Sequence, residues 1–450
     1  MKLKRIMTIA GSDSGGGAGI QADLKTITAL GGFGMSVITA LTAQNTLGVH
    51  GIHEVPIEFV EKQFDAVATD IGIDAAKTGM LSSSEIIKAV AGKVRQYKVE
   101  KLVVDPVMVA KGGAKLIRDD AKETLIHELL PLAFVVTPNI PEAEELTGLK
   151  CESIEDMKRA AEAISRMGAA NVLVKGGHLT GDAVDIFYDG KEFYEFRSER
   201  IDTKDTHGTG CTISSAIATG IGQDMPVHEA VQRAKDYITT AIRFSLRIGG
   251  GHGPTNHFAY LLRNSERYLC VQELKDAVKG LKDGRCGNII PEIQSNFVYA
   301  LPHAVDKDDV AGIPGRIVRV GEDAETLHDP AFGVSQHVAK IVLTVMGYDD
   351  EYRSAMDIRF SDELVKICRD CRYDIAEFSR SDEPDEVKTR EGSSLEWGTN
   401  NVLAERSTIP DMIFDRGDVG KEPVIRVLGK NPSDVADKVL VLSNRLKAWK

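Results

Sequence analysis

The sequence predicts an α/β fold with a mostly parallel sheet covered on both faces, followed by a second, smaller α/β domain. Three observations predict it. Over roughly the first 250 residues, short apolar runs alternate with amphipathic helical patterns. Each apolar run closes on polar or glycine residues, as buried parallel strands do where they reach a ligand site. Finally, 450 residues are too many for one hydrophobic core, and a glycine-rich break divides the chain.

The elements follow in order. Ile6–Ala10 reads as a strand, then a glycine-rich turn, then a helix over Gly19–Leu30. Leu102–Asp105, Phe134–Thr137 and Val172–Lys175 are further apolar strands, with helical patterns at Glu85–Tyr97 and Ile154–Met167 between them. Strand–helix alternation of this kind stacks helices on both faces of a parallel sheet. The stretch from Gly249 to Phe258 holds four glycines and a proline, so it cannot continue a helix. A new amphipathic pattern runs from about Ser265 to Leu281. The boundary is therefore expected between 258 and 265, giving domains 1–258 and 265–450. In the second, Gly315–Val320, Ala355–Phe360, Tyr373–Phe378 and Val424–Leu428 read as strands. Gly333–Met346, Asp362–Cys371 and Asn431–Trp449 read as helices, the last opened by an Asn-Pro pair.

Charge and cysteine usage narrow the function. A net charge of −12 opposes binding to nucleic acid or to an anionic membrane by the whole chain. The apolar stretch after the basic N-terminus is short and runs into a glycine loop, so it is expected to be a strand and not a signal peptide. No apolar run approaches the roughly 20 residues of a membrane span. Six cysteines scattered along the chain form no disulfide framework. A cytoplasmic protein with free thiols is expected.

Four local patterns carry chemistry. In Thr206-His-Gly-Thr-Gly-Cys211, the glycines before a helix free backbone N–H groups to make an anion nest. Cys211 falls in the first helical turn, where a thiol pKa is expected to fall. A glycine turn beside a structural cysteine explains the same residues. The cluster Ala10-Gly-Ser-Asp-Ser-Gly-Gly-Gly-Ala-Gly-Ile20 lacks the lysine of a P-loop, and its glycines suit close approach to a small ligand. In Thr137-Pro-Asn-Ile-Pro-Glu142, Asn139 and Glu142 suit a hydrated Mg²⁺ beside phosphates; a helix N-terminus rich in Glu is the plainer reading. Lys175, ending a strand before two glycines, suits nucleotide phosphates or simply solvent.

Taken together, these runs resemble the hydroxymethylpyrimidine and phosphomethylpyrimidine kinases of the ribokinase-like superfamily. The resemblance spans residues 5–258 and includes Gly15–Thr26, Val37–Thr46, Lys77-Thr-Gly-Met-Leu81 and Asp105-Pro-Val-Met108. It implies a three-layer α/β/α sandwich, ATP and Mg²⁺ as cofactors, and two successive phosphorylations of the pyrimidine alcohol. It also implies roles: Gln44 and Asp23 on the substrate, and Met80 and Val107 as apolar wall. Asp105 and Glu142 would hold the metal. Asn139, Lys175, Thr206, Gly208, Thr209 and Gly210 would hold phosphates. Cys211, where most sugar kinases of this superfamily carry Asp, would activate the hydroxyl as thiolate. The resemblance also implies a homodimer built through this domain.

The C-terminal part resembles the archaeal-type thiamine-phosphate synthase domain over about 265–450. The matching residues are Arg316 and His337, with Asn288, Pro291–Ile293 and Gly420–Pro423. The implied reaction joins the pyrimidine diphosphate to thiazole phosphate and releases pyrophosphate, with Arg316 neutralising the departing group and His337 donating to a phosphate. Two other readings remain open. A pyridoxal-type kinase is the first, against which Gln44, Met80 and Cys211 speak. A ligand-sensing C-terminal module without catalysis is the second, and it has no need of the Arg316–His337 pair. Cys368 and Cys371 are expected in a core stripe of a helix, since two thiols supply only half of a zinc site.

Overall fold

A computed structural model describes residues 3–108, 121–177, 181–380, 383–384, 393–418 and 421–449. His178 and Gly420 of the motifs above lie outside them. The chain forms two compact units, Met1–Leu261 and Leu262–Lys450.

The first unit is built on a nine-stranded sheet. Its strands are β1 (Arg5–Asp13), β2 (Phe33–Asn45), β3 (Gly48–Glu54), β4 (Ala75–Thr78), β5 (Leu102–Val104), β6 (Val135–Val136), β7 (Asn171–Val174), β8 (Ala183–Tyr188) and β9 (Phe193–Ser198). They lie in the order β3-β2-β1-β4-β5-β6-β7-β8-β9. The six from β2 to β7 run parallel, and β3, β8 and β9 are antiparallel additions at the edges.

Alternation along β1 sends Met7 and Ile9 to one face and Ile6 to the other. The Met7 face is covered by α2 (Ile57–Asp70), α3 (Ser84–Gln96), α4 (Ala121–Thr124), α5 (Ile140–Thr147) and α6 (Ile154–Arg166). The Ile6 face is covered by α1 (Gly19–Ala29), α7 (Thr209–Gly222) and α8 (Val227–Arg243). A three-layer sandwich results, and burying both faces explains why the central strands read as unbroken apolar runs. Helix α7 is composed largely of small residues, and from Thr212 to Gly222 every one is buried. It packs so closely that a Cβ on Gly222 would lie 2.3 Å from Ile6 Cδ1.

Helix α9 (Ala259–Asp283) starts six residues earlier than the sequence pattern suggests. Asn256 ends the glycine-rich stretch, its side chain accepting from the Phe258 amide at 3.1 Å. The second unit holds β10 (Phe297–Ala300), β11 (Val310–Gly312), β12 (Ile317–Val320), β13 (Asp323–Thr326), β14 (Ala331–Phe332), β15 (Ser354–Arg359), β16 (Ile375–Glu377), β17 (Met412–Asp415) and β18 (Val424–Gly429). Seven of these form the sheet β14-β11-β10-β15-β18-β17-β16, and β12 with β13 forms a separate hairpin. On one face lie α9, α11 (Asp362–Asp370) and α13 (Pro432–Trp449); on the other lie α10 (His337–Met346) and α12 (Ser393–Ala404). Cys368 is buried against Met412, its sulfur 3.3 Å from Sδ. Among the described residues no group of three or more His, Cys, Asp or Glu is placed to hold a metal. Nor is any described helix long and apolar enough to cross a membrane.

Candidate active site

The C-terminal ends of β1, β2, β4, β5 and β7 open onto one cavity of about 1130 Å³ in the first unit. Each strand delivers a side chain to its wall: Asp13, Gln44, Met80, Asp105 and Lys175. Parallel strands end in register, so residues far apart in sequence arrive on one rim.

Two glycine loops close one side. Buried Asp13 accepts from the amides of Gly15 (2.8 Å), Gly17 (3.1 Å) and Ala18 (2.8 Å), and meets His207 Nε2 at 3.0 Å. Burial works to raise its carboxyl, but the His207 bond and the Ala18 and Gly15 amides outweigh it, and it titrates below the ordinary range. Gly208 has φ +85°, and a Cβ there would sit 1.8 Å from the Gly17 carbonyl oxygen. The loops therefore interlock backbone to backbone. Gln44 adjoins them, its Nε2 3.3 Å from His207 Nε2. One ring nitrogen cannot both donate to Asp13 and accept from Gln44. The carboxylate is the stronger partner, which leaves the Gln44 amide N–H free to read a ligand.

At the far end Lys175 Nζ lies 3.0 Å from Asp105 Oδ1, which also accepts from Thr137 Oγ1 at 3.2 Å. Burial opposes the Lys175 ammonium, yet Asp105 and Glu142 outweigh it and hold it above the ordinary lysine range. Asn139 and Glu142 form a reciprocal capping box at the start of α5, with bonds of 2.9 and 2.8 Å. Burial pushes the Glu142 carboxyl up to about 7, Lys175 pulling it back and Asp105 adding to the rise.

Between these ends lies the start of α7. Thr206 accepts from Thr209 Oγ1 at 2.7 Å, which shapes the turn. The N-cap, Gly208, offers no side-chain acceptor, so first-turn amides fall on residues that line the cavity, Gly210 and Cys211.

In the second unit, Arg316 is exposed in a turn with φ +65°, after Gly315 at +74°, and its guanidinium donates to the Ile293 carbonyl. His337 is exposed and opens α10. Glu422 accepts from the Glu292 and Ile293 amides at 3.0 and 2.8 Å, so the Pro291–Ile293 and Lys421–Pro423 segments meet. Asn288 is structural, bonding Ser443 in α13 through both ends of its amide.

Comparison with known proteins shows what this architecture is shared with. Residues 13–256 match the family described as phosphomethylpyrimidine kinase. The chain belongs to that family. Residues 273–441 match the family described as thiamine-phosphate synthase ThiN, so the second unit carries a synthase domain. The thiamine biosynthesis bifunctional protein ThiED of Geobacter sulfurreducens is 60% identical over 253 residues, 56% of this chain. The chain spans about half of that relative's length, 52%. The hydroxymethylpyrimidine/phosphomethylpyrimidine kinase of Bacillus subtilis is 50% identical over 267 residues, 59% of this chain and 98% of that protein. Among solved structures, a Bacillus subtilis pyridoxal kinase bound to ADP superposes with a TM-score of 0.55 at 39% identity, over 58% of this chain and all of that one. Staphylococcus aureus pyridoxal kinase with pyridoxal gives 0.54 at 40%, over 58% and 95%.

The kinase unit brings Gln44, Met80, Val107, Asp105, Asn139, Glu142, Lys175, Thr206, Gly208, Thr209, Gly210 and Cys211 to the one cavity. Two expectations need correction. Asp23 does not line the cavity: it is fully buried, with Lys77 Nζ 3.0 Å from both its oxygens and hydroxyls of Thr8 and Ser215 each at 2.6 Å. A buried carboxylate needs these partners, and they leave it none to offer a substrate. The Cys211 thiol is not lowered. Burial pushes it up to about 11, and the opposing pull of Lys77 does not offset that. Sequence reasoning passed over Asp13, His207 and Lys77. An aspartate at a strand end before a glycine run, and a histidine inside the other glycine loop, were the available signals.

Proposed function

We propose that the kinase unit transfers phosphate from ATP to hydroxymethylpyrimidine and then to its monophosphate, and that the second unit condenses the diphosphate with thiazole phosphate to thiamine phosphate. One observation carries the first half. A single cavity presents the Gln44 amide and the Met80 wall at one end, and Lys175, Asp105 and Glu142 at the other, with the α7 amides between them. The Gln44 amide suits an aminopyrimidine edge. Lys175 and the first-turn amides suit the phosphates, where charge develops in transfer.

Asp105 and Glu142 fit a hydrated Mg²⁺. Their donors are all oxygen, and a divalent cation would relieve the crowding that pushes Glu142 up. When bound, the ion would neutralise charge on the transferring group. The chain's own residues do the rest: the interlocked glycine loops exclude water, Lys175 orients phosphate, and Gln44 orients the ring. Phosphoryl transfer of this kind has a loose transition state, so the hydroxyl needs little help from a base. Cys211, as a thiol, is then a hydrogen-bonding neighbour of the hydroxyl, in place of the thiolate base the resemblance suggested.

Arg316 and His337 support the condensation. The pyrimidine methylene ionises to a stabilised cation, so positioning and neutralising pyrophosphate is most of the task. A homodimer and a cytoplasmic location belong to this reading. The pyridoxal kinase neighbours favour a second one, phosphorylation of pyridoxal in the same cavity.

The test is one reaction of the full chain with ATP, Mg²⁺, hydroxymethylpyrimidine and thiazole phosphate, followed by mass, with pyridoxal as competing alcohol. Thiamine phosphate establishes both halves. Pyrimidine diphosphate alone restricts the chain to kinase activity and makes the second unit a ligand sensor. Preference for pyridoxal overturns the assignment of the alcohol.

A further inference from the structure

The second unit contains a row of alternating charges that none of the motifs above predicts. Asp357 on β15 stands directly across from Arg426 on β18, and Arg426 is across from Ile413 on β17, two residues from Asp415. Pairing and alternation put Asp357, Arg426 and Asp415 on one face, the face covered by α10. Arg426 is 1% exposed and bonds Asp415 at 2.7 Å; Asp415 also takes Arg380 Nε at 2.6 Å. These three are locked in the core. Asp357 is half-buried, and Arg426 and then Arg316 both pull its carboxyl down against the effect of burial. The row thus runs Arg380, Asp415, Arg426, Asp357, Arg316, from core to surface.

Asn296 joins the same place to α10. Its carbonyl accepts from the Asp357 amide at 3.2 Å, and its side chain accepts from Ile313 at 3.1 Å, in the turn that carries Arg316. Gly312 packs on both Asn296 and Ser335, and Ser335 lies two residues before His337. Arg316 and His337 therefore enter from two sides of Asn296, above Asp357.

We propose that Asp357 is the positioning residue of the condensation site: anchored by Arg426, it orients the exposed Arg316 guanidinium toward the departing pyrophosphate. This rests on reading the second unit as a synthase. An exposed arginine in a left-handed turn has wide rotamer freedom, and a fixed carboxylate beside it removes most of that freedom before substrate arrives. The charged groups around Asp357 are Arg426 and Asp415 from the neighbouring strands, Arg316 from its turn, Arg359 on β15 itself, and His337 and Lys340 on α10. Burial lifts the Asp357 carboxyl to about 6, so the link to Arg316 is present above that pH and lost below it.

The experiment compares the full chain with Asp357→Asn and Asp357→Glu. Condensation kcat from supplied pyrimidine diphosphate and thiazole phosphate should fall roughly ten- to hundredfold in Asp357→Asn, with KM little changed, and recover in part in Asp357→Glu. The acid limb near pH 6 should vanish in Asp357→Asn, while kinase activity stays at the wild-type level. Separately, phenylglyoxal should modify Arg316 several times faster in Asp357→Asn, read by peptide mass. Unchanged kcat and pH profile, or unchanged Arg316 reactivity, overturns the proposal. Faster Arg316 modification in a chain whose wild type forms no thiamine phosphate keeps the Asp357–Arg316 coupling and sinks the synthase reading instead.

Discussion

Gly208 and Gly17 touch backbone to backbone, and a Cβ at position 208 would stand 1.8 Å from the Gly17 carbonyl oxygen. The contact fixes the spacing of the two glycine loops that bound the kinase cavity. Gly208 also has φ +85°, where an L side chain is strained by about 1 kcal/mol. Neither atom belongs to a flexible side chain, so the clash cannot be relieved by a rotamer change. Gly208→Ala should lower phosphorylation at least about a hundredfold. A steady-state kinase assay checks it, and wild-type turnover would show that the loops separate freely.

The same loops are held by charge. Asp13 titrates below its unfolded value, so its contribution to stability is full above the ordinary carboxylate range. It fades as pH falls through the lowered folded value. Asp13→Asn keeps the shape but loses the charge that faces His207. Breaking a buried pair of this kind costs about 3 kcal/mol. Urea unfolding of the first unit at pH 7 and pH 3 measures this. The variant should lose midpoint at pH 7, and the difference from wild type should shrink in acid.

Cys211 offers a chemical check on its own environment. With the thiol near 11, about one molecule in a thousand carries thiolate at pH 8. Iodoacetamide should modify it far more slowly than a free cysteine, with a rate still climbing at pH 10. Peptide mass across pH reads this directly. Fast alkylation at pH 7 would restore the thiolate base. Cys211→Ala should retain condensation when pyrimidine diphosphate is supplied, and its residual kinase rate reports how much the sulfur contributes.

What was legible in the sequence follows from locality. The Thr206–Cys211, Thr137–Glu142 and Lys175 motifs each sit at one strand end, and parallel pairing carries them to one rim, so reading each locally was enough. The Asp23 assignment failed because its partner, Lys77, is 54 residues away on another strand. Nothing near Asp23 in sequence announces a buried cation. The edge strands β3, β8 and β9 escaped because they are half-exposed and lack the unbroken apolar run of the central strands. The Asp357–Arg426 pair joins positions 69 residues apart, and only the β15–β18 register reveals it.

The buried Lys77–Asp23 pair gives the sharpest stability prediction. Both side chains are fully buried, and Asp23 is also held by Thr8 and Ser215. Burial alone would lower the Lys77 pKa, yet Asp23, Cys211 and Asp105 outweigh it and hold it above the ordinary range. The ammonium therefore stays charged through neutral pH, and its removal strands a carboxylate in the core. Lys77→Met should cost about 3–5 kcal/mol, the usual effect of orphaning one partner. Lys77→Met with Asp23→Leu removes both charges. That double variant should be the more stable of the two, although two hydroxyls then lose their acceptor. Thermal melts of the three chains decide it. A double variant no more stable than Lys77→Met would mean that the hydroxyl bonds, and not the ion pair, hold α1, β4 and α7 together.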